Sequence, residues 1–342
     1  MTTLAFIGDV MLGRGVNDEL RHVAPQSVWG TTLSVLGDSA AVIANLECAV
    51  TDHTTRWTHT RKVFHFRADP AAVEVLGKAN VQCVSLANNH LLDFEEQGLL
   101  DTLTHLDAAG IAHAGAGKDL ADAKRPAVVR LPDLTLGMTS MTDNEPAFAA
   151  TAGIAGTNYV DIASTPLEAI GLDRAAKSCR EQGADLAILS LHWGPNMLTA
   201  PPKRFREFAR AAIEAGFDVV HGHSAHVFQG VELYRGRPIF YDTGDFIDDY
   251  AVDERLRNDW SFIFFVDVAA KQIERIRLIP VRLAYARADL AIGREAEAIC
   301  RLMVKRSTPF GTAFRADGGV LELMCRKPGG ARMAVTSTSS MM

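Results

Sequence analysis

The feature that most constrains the fold of this chain is a repeated pattern in which an apolar run ends in carboxylate, amide or imidazole side chains. The five runs, each with its polar residues, are 4–7 (Asp9), 40–46 (Asn45 and Glu47), 81–87 (Asn89 and His90), 185–191 (His192) and 217–220 (His223 and His226). Short apolar runs of this kind are typical of buried strands. Ligands of α/β sheets bind at the carboxyl ends of the strands. We therefore expect these polar side chains to meet along one edge of a sheet.

The last of these runs is followed by the densest cluster of imidazoles in the chain. His221, His223 and His226 lie within six residues, beside Gly222. In a turn after a strand, His223 and His226 can direct ring nitrogens at one point, and Gly222 allows a close approach of the backbone. Neutral imidazoles with nearby carboxylates suit a transition metal. The alternative is a surface loop that happens to be rich in histidine.

The combined set offers oxygen and nitrogen donors without thiolate. Such donors indicate a site for one or two divalent ions, with Mn, Fe, Zn and Mg as candidates. Glu47 could bridge two ions held about 4 Å apart. Each residue taken singly has an ordinary alternative: Asp9 as a turn or helix-capping residue, and Glu47 as a strand-end residue facing solvent.

Residues 50–68 form a long polar segment in which arginine and lysine alternate with aromatic residues. Long loops in compact domains are often functional. This loop either holds an anionic or peptide-like substrate or forms a solvated flap. Outside the loop, Arg14 follows the first strand and Trp193 follows His192. The candidate substrate contacts are Arg14, Arg56, Trp57, Arg61, Lys62 and Trp193.

Composition excludes several classes of protein. The 342 residues are 48% hydrophobic and 22% charged, as in a soluble globular protein. A net charge of −6 argues against a nucleic-acid surface. Five cysteines without a CxxC pair predict neither a disulfide framework nor a thiolate zinc site. The first residues lack a signal-peptide core and no stretch reaches the length of a membrane span, so we expect a cytoplasmic protein without a membrane anchor.

Five motifs together resemble those of the CapA family of poly-γ-glutamate capsule synthesis proteins, over about residues 4–250. They are GDVMLGR (8–14), ANLE (44–47), ANNHLLD (87–93), LHWG (191–194) and VVHGHSAHVFQGVELYRGRPIFYDTGDF (219–246). The resemblance implies a metallophosphatase (calcineurin-like phosphoesterase) fold, an α/β sandwich of two mixed sheets flanked by helices. We expect one domain over residues 1–326, and the polar Gly/Ser/Thr composition of 327–342 predicts a disordered tail.

The resemblance also implies roles for individual residues. His90 would be the general acid beside the metal. Met11 stands where phosphoesterases have the histidine of an Asp-x-His motif, so one metal ligand is missing. Asp245 stands where many CapA-like proteins have asparagine, and it could be a base, a ligand or a substrate contact. The metal ligands implied are Asp9, Glu47, Asn89, His192, His223 and His226.

Three functions fit these residues. The first is metal-dependent chemistry on a peptide or γ-glutamyl polyamide, in which the ion polarises a carbonyl for acyl chemistry or for epimerisation at Cα; a lasso-peptide epimerase also resembles this group. His90, Asp245 and His22 are the candidate bases. The second is phosphoester hydrolysis, which the absent histidine disfavours. The third is a non-catalytic accessory role in capsule synthesis. The need for a partner, such as a leader-peptide-binding protein, stays open. We favour the first.

Overall fold

The computed structural model describes residues 1–325. The predicted disordered tail at 327–342 lies outside the described residues. The helices in the described part are α1 (Arg14–Leu20), α2 (Thr32–Gly37), α3 (Val73–Lys78), α4 (Glu95–Ala108), α5 (Leu120–Ala123), α6 (Leu167–Ile170), α7 (Leu172–Glu181), α8 (Lys203–Glu214) and α9 (Gly293–Ser307), with short 3-10 turns at Pro25–Trp29, Pro70–Ala72, Pro146–Phe148 and Thr308–Phe310. None of these helices is long and apolar enough to cross a membrane.

Strands alternate with these helices in the first two thirds of the chain and then dominate. The strands between residues 1 and 325 are β1 (Thr2–Val10), β2 (Ala41–Leu46), β3 (Ala49–Val50), β4 (Arg67–Ala68), β5 (Val81–Ser85), β6 (Ala112–Ala114), β7 (Ala116–Gly117), β8 (Ala127–Arg130), β9 (Thr135–Thr142), β10 (Gly156–Thr157), β11 (Leu186–His192), β12 (Val219–His223), β13 (Val231–Tyr234), β14 (Arg237–Phe240), β15 (Asp245–Ile247), β16 (Trp260–Ala269), β17 (Gln272–Ala284), β18 (Arg287–Leu290), β19 (Arg315–Asp317) and β20 (Val320–Met324).

Most strands belong to two large mixed sheets. The first has the order β19-β20-β17-β16-β1-β2-β5-β6, with β15 beside β1 and β18 beside β17. The second has the order β13-β14-β12-β11-β9-β8. In the first sheet β1, β2 and β5 are parallel while β16 runs antiparallel to β1. In the second, β9, β11 and β12 are parallel and β8 is antiparallel. The predicted α/β class with two mixed sheets is confirmed.

Side-chain alternation along the strands builds the layers. In β1, Leu4 and Phe6 join an apolar cluster with Ile188 and Val219 of the second sheet, so this cluster fills the space between the sheets. Ala5 and Ile7, on the opposite face of β1, pack with residues of α1 to α4. A third cluster packs α7 and α8 onto the outer face of the second sheet. The order of layers is therefore helices, sheet, sheet, helices.

The five ligand-bearing strand ends come from both sheets. The ends of β1, β2 and β5 lie in the first sheet, and those of β11 and β12 in the second. The prediction of one sheet edge is wrong, because an apolar run marks a buried strand without showing which sheet it joins. The two edges nevertheless meet, since Nε2 of His221 lies 2.9 Å from the carbonyl oxygen of Ile7 across the interface.

The backbones of β1 and of the turn before β15 approach closely at Gly8. A Cβ at this position would lie 1.7 Å from the carbonyl oxygen of Gly244. Beside it, the amide of Asp9 donates to that same oxygen at 2.9 Å. Glycine at position 8 therefore lets Asp9 and Asp245, which are register partners, lie side by side.

We predict that Gly8→Ala lowers the free energy of unfolding by about 1–3 kcal/mol, the usual cost of overpacking. Urea denaturation measures the change. Gly77→Ala is the matched control: position 77 lies in α3 with nothing within 4 Å of an added Cβ. This control should gain about 0.5–1 kcal/mol from the helix preference of alanine. Equal stability of the two variants would contradict the close approach.

Candidate metal centre

The carboxylate of Asp9 lies at the centre of the candidate site. Its Oδ1 accepts a hydrogen bond from Nδ2 of Asn45 in β2 at 2.7 Å. Its Oδ2 accepts from the backbone amide of Ser224, just after β12, at 3.2 Å. Asp9 is thus buried and contacts both sheets. It is an internal residue of β1 and not, as predicted, a residue that follows the strand.

One group of candidate ligands combines Asp9 with two histidines. One donor atom from each of Asp9, His192 and His223 lies within 4.8 Å of the others. The Nδ1 atoms of His192 and His223 are 3.1 Å apart, and that of His223 is 3.5 Å from Oδ1 of Asp9. Burial lowers the pKa of both histidines well below its usual range. Both imidazoles are therefore neutral at pH 7, as metal ligation requires.

A second group shares Asp9 and is more acidic. One donor atom from each of Asp9, Glu47, His226 and Asp245 lies within 4.8 Å of the others. Burial, together with the charges of Glu47 and Asp245, raises the pKa of Asp9. Burial opposed by His226 raises the pKa of Glu47 to about 7. Burial also acts to lower the pKa of His226, but Asp245, at 2.8 Å, reverses the effect and raises it.

These residues fit a divalent cation. Among the predicted site residues, three buried acceptor atoms have no hydrogen-bond partner within the described part of the chain: Oε1 of Glu47, Oδ1 of Asn89 and Oδ2 of Asp245. Buried carboxylates are costly unless they are paired or bind a metal. Within the two groups, the contact of Asp245 with His226 is the one pairing of a carboxylate with an imidazole at hydrogen-bond distance. An ion would satisfy the unpartnered oxygens and offset the excess negative charge. The assignment of individual ligands and the number of ions remain predictions.

Two neighbours of the site do not act as ligands. Met11, at the position of the missing histidine, is buried in the core, and its sulfur accepts from the amide of Gly13 at 3.1 Å. His221 contacts the carbonyl of Ile7 through Nε2 and the hydroxyl of Ser190 through Nδ1. The first histidine of the three-histidine cluster is therefore engaged in sheet packing.

His90 forms a dyad with Asp93 beside the second group. Nδ1 of His90 lies 2.6 Å from Oδ2 of Asp93, and Nε2 lies 4.0 Å from Oε1 of Glu47. Its ring stacks on Phe66 with 3.8 Å between centroids. Burial, and next Lys62, lower the pKa of His90 well below its usual range. With Nδ1 donating to Asp93, the lone pair of Nε2 faces the metal ligands.

A cavity of about 530 Å³ opens over these residues. Its wall combines arginine and lysine with aromatic rings. Arg14 pairs with Asp249 at 3.2 Å, and its guanidinium carbon lies 5.4 Å from the ring centroid of Phe66. The lining residues are Arg14, Arg61, Lys62, Val63, Phe64, Phe66, Asn89, His90, Glu145, Asn196, Met197, His226, Tyr250, Ala251 and Asn258. The cavity thus suits an anionic ligand with apolar parts.

Two predicted site residues lie elsewhere. His22 is exposed in the turn after α1 and is not among the cavity residues, so it is not placed to act as a base. Trp193 is only 3% exposed, because its ring packs on Phe208 and its Nε1 donates to the carbonyl of Tyr241. The prediction of Trp193 as a substrate contact is wrong, since an aromatic residue after a strand can equally turn into the core.

Two further predicted substrate contacts, Arg56 and Trp57 in the loop at 50–68, also do not line the cavity. Arg56 is exposed and does not line the cavity. Trp57 packs edge-on against Phe148 at 4.9 Å, and its Nε1 donates to the hydroxyl of Thr60. Trp57 therefore supports the loop and does not face a ligand.

Tyr250 is a site residue that the sequence analysis missed. Its hydroxyl lies 3.4 Å from Oε2 of Glu47, and its ring centroid is 5.2 Å from that of His226. It follows Asp245 by five residues in a segment without regular structure, so no periodicity marks it. The sequence does contain a signal for the His90–Asp93 dyad. In the ANNHLLD motif, the carboxylate of Asp93 follows His90 by three residues.

We predict that Asp9→Ala loses more metal than His223→Ala, because Asp9 belongs to both ligand groups and His223 to one. Elemental mass spectrometry of the purified variants, with circular dichroism to verify folding, measures this. His22→Ala is the control and should keep the full metal content. A folded Asp9 or His223 variant with the full complement would show that the ligand assignment is wrong at that position.

Comparison with known proteins shows a family match and several relatives of this chain. Residues 3–250 match the family described as bacterial capsule synthesis protein PGA_cap. A probable polyglutamine synthesis accessory protein of Mycobacterium tuberculosis is 29% identical, over 91% of this chain and 92% of that protein. The PGA biosynthesis protein CapA of Bacillus subtilis is 31% identical, over 72% of this chain and 63% of its own length.

A solved structure supports the fold alone. A hypothetical protein from Thermus thermophilus superposes with a TM-score of 0.50 at 14% identity, over 83% of this chain and all of that chain. The family match covers most of the chain and includes both groups of candidate metal ligands. The chain therefore belongs to the PGA_cap family of bacterial capsule synthesis proteins, the CapA family.

Proposed function

We propose that this protein is a metal-dependent enzyme that cleaves or transfers amide bonds of a peptide or γ-glutamyl polyamide. The observation that carries the proposal is the position of the His90–Asp93 dyad. The dyad lies beside the candidate metal ligands and at the wall of the cationic cavity. A Lewis acid, a proton-transfer group and an anion-binding surface are the parts that such a reaction needs.

Charge complementarity supports an anionic polyamide as substrate. Arg61 lines the cavity and has no ion pair within the described residues, so a free carboxylate of a polyglutamate chain would find a partner there. Arg14 also lines the cavity, in an ion pair with Asp249. The rings of Phe64, Phe66 and Tyr250 offer apolar surface for the methylene and amide groups between those carboxylates. The names of the M. tuberculosis and B. subtilis relatives, which refer to polyglutamine and PGA synthesis, point to the same class.

The proposed chemistry assigns a role to each group. A divalent ion held by the two ligand groups would polarise the substrate carbonyl and lower the pKa of a nucleophilic water. Neutral His90 accepts a proton from the attacking water at Nε2, and Asp93 holds the ring and stabilises the imidazolium. The C–N bond then breaks, and His90 returns the proton to the leaving nitrogen. The products are a carboxylate and an amine.

The geometry favours acyl chemistry over epimerisation. Epimerisation at Cα by the two-base route uses one proton-transfer group on each side of the carbon. Of the three predicted bases, His22 is exposed away from the cavity, and Asp245 is fully buried and bonded to His226. Among these three, His90 alone both lines the cavity and has a free ring nitrogen.

The other two functions remain as outcomes of the test. Phosphoester hydrolysis would use the same cations and ion, but Met11 is buried where the motif of that class has a ligand. A non-catalytic accessory role would not require the His90–Asp93 dyad. The cytoplasmic location, the single domain over 1–326 and the absence of a nucleic-acid ligand likewise stay predictions.

We predict that the protein, loaded with Mn²⁺, releases new amino groups from poly-γ-glutamate, and that His90→Gln slows this about 10²–10⁴-fold. Fluorescamine labelling measures the amines. The metal content of the variant should equal that of the wild type, and His22→Gln should keep the wild-type rate.

Other results would contradict the proposal in distinct ways. Deuterium entry at Cα in D₂O without amine release would indicate epimerisation. Turnover of an aryl phosphate without amine release would indicate a phosphoesterase. A fully metal-loaded protein inactive in all three assays would favour the accessory role.

A further inference from the structure

We infer that Lys62 is a positioning residue, which ties loop 51–66 to Asp93 and thereby fixes the orientation of the His90 ring. The catalytic consequence rests on the proposed function, whereas the mechanical link can be tested without a substrate. The sequence analysis predicted Lys62 as a direct substrate contact. Its environment in the structure indicates a different task.

Asp93 is the point where the loop and the dyad meet. Its Oδ2 accepts from Nδ1 of His90 at 2.6 Å and from the backbone amide of Phe66 at 2.7 Å. Its Oδ1 has no hydrogen bond within the described residues and lies 3.2 Å from Nζ of Lys62. Its carbonyl oxygen accepts from the amide of Trp57 at 2.9 Å. Three loop residues therefore converge on the residue that orients His90.

The side chain of Lys62 is buried, whereas the neighbouring Arg61 is exposed. Its side chain is 6% exposed, and Nζ donates to the carbonyl of Asn89 and lies 3.7 Å from Glu145. A buried ammonium needs such partners, because leaving one uncompensated is costly. The positive charge of Lys62 is thus compensated by groups of the protein itself. Arg61 lines the same cavity, but it is exposed and is not among the ion-pair partners of Asp93 in the described part of the chain.

The loop has no regular structure of its own to hold it. Residues 51–66 contain no helix or strand. The pairing of β3 with β4 holds its two ends, and His59 contacts Glu95 at 3.2 Å. Over the site, the loop is held by the contacts of Trp57, Lys62 and Phe66 with Asp93, and the ring of Phe66 also stacks on His90 at 3.8 Å. The loop therefore supplies both the stacking surface of His90 and the charge partner of Asp93. A loop that leaves this place releases the histidine from both.

Two measurements follow the link without a substrate. The proton between His90 and Asp93 should give a downfield ¹H resonance, identified by its loss in His90→Gln. Chymotrypsin cleavage after Phe64, which is 57% exposed in the loop, reports how firmly the loop is held. We expect Lys62→Met to shift or abolish the resonance and to speed cleavage about tenfold. Lys62→Arg should restore both in part, and Arg61→Met should leave both unchanged.

Activity provides a third readout. With poly-γ-glutamate, Lys62→Met should lower kcat about 10- to 100-fold with little change in KM, as for loss of a residue that orients a catalytic group. Arg61→Met should raise KM instead. An unchanged resonance and cleavage rate in Lys62→Met, with only KM raised, would overturn the inference and make Lys62 a substrate contact.

A second variant tests the link if Lys62→Met does not fold. Trp57→Leu keeps the side chains of Lys62 and Asp93 but removes the ring packed on Phe148, so it loosens the loop that holds Lys62 against Asp93. It should also speed cleavage after Phe64 and perturb the His90 resonance. Faster cleavage with an unchanged resonance would sink the inference. Absence of amide cleavage by the wild type, with both physical changes present, would refute the proposed function and leave the link standing.

Discussion

The site depends on burying one carboxylate, Asp9, where two sheets meet. Its oxygens accept hydrogen bonds from Asn45 of the first sheet and from Ser224 after a strand of the second. Two further carboxylates, Glu47 and Asp245, are buried in the same group of ligands. Desolvating three acids costs several kcal/mol each unless a cation compensates. A divalent ion bound here would therefore link folding to the proposed function, because it would stabilise the arrangement on which that function depends.

Close backbone contact brings these groups together. Gly222 was predicted to let the backbone approach a ligand, but an added Cβ there would meet the carbonyl oxygen of Tyr241 at 2.1 Å. The glycine thus permits strand packing within the second sheet. Just beyond it, Ser224 has φ 109° and His226 has φ 57°, values that few non-glycine residues adopt. Strained backbone is frequent at functional sites, and here it turns an amide and an imidazole toward Asp9.

The sequence predicted the strands and most of the residues that cluster at the candidate metal centre, because apolar runs and polar residues at strand ends are local signals. It could not assign the five strands to two sheets, which is decided by long-range pairing such as that of β1 with β15. The separation of His22 and Trp193 from the cavity was missed for a related reason. Whether a side chain after a strand or helix faces the core, the solvent or the site depends on tertiary packing. Tyr250 was missed because its position depends on the path of an irregular segment.

The charge of the two groups of candidate ligands offers a physical reason why a metal could bind without the histidine that Met11 replaces. His192 and His223 are neutral, so the first group carries at most the charge of Asp9. The second group adds the carboxyl groups of Glu47 and Asp245 and one imidazole, His226, which contacts Asp245 at 2.8 Å. A carboxylate at position 245, where asparagine would be neutral, increases the attraction for a cation near the second group. The two differences would therefore affect metal affinity in different ways. The missing histidine reduces the number of donor atoms, and the additional acid strengthens the electrostatic attraction for a cation.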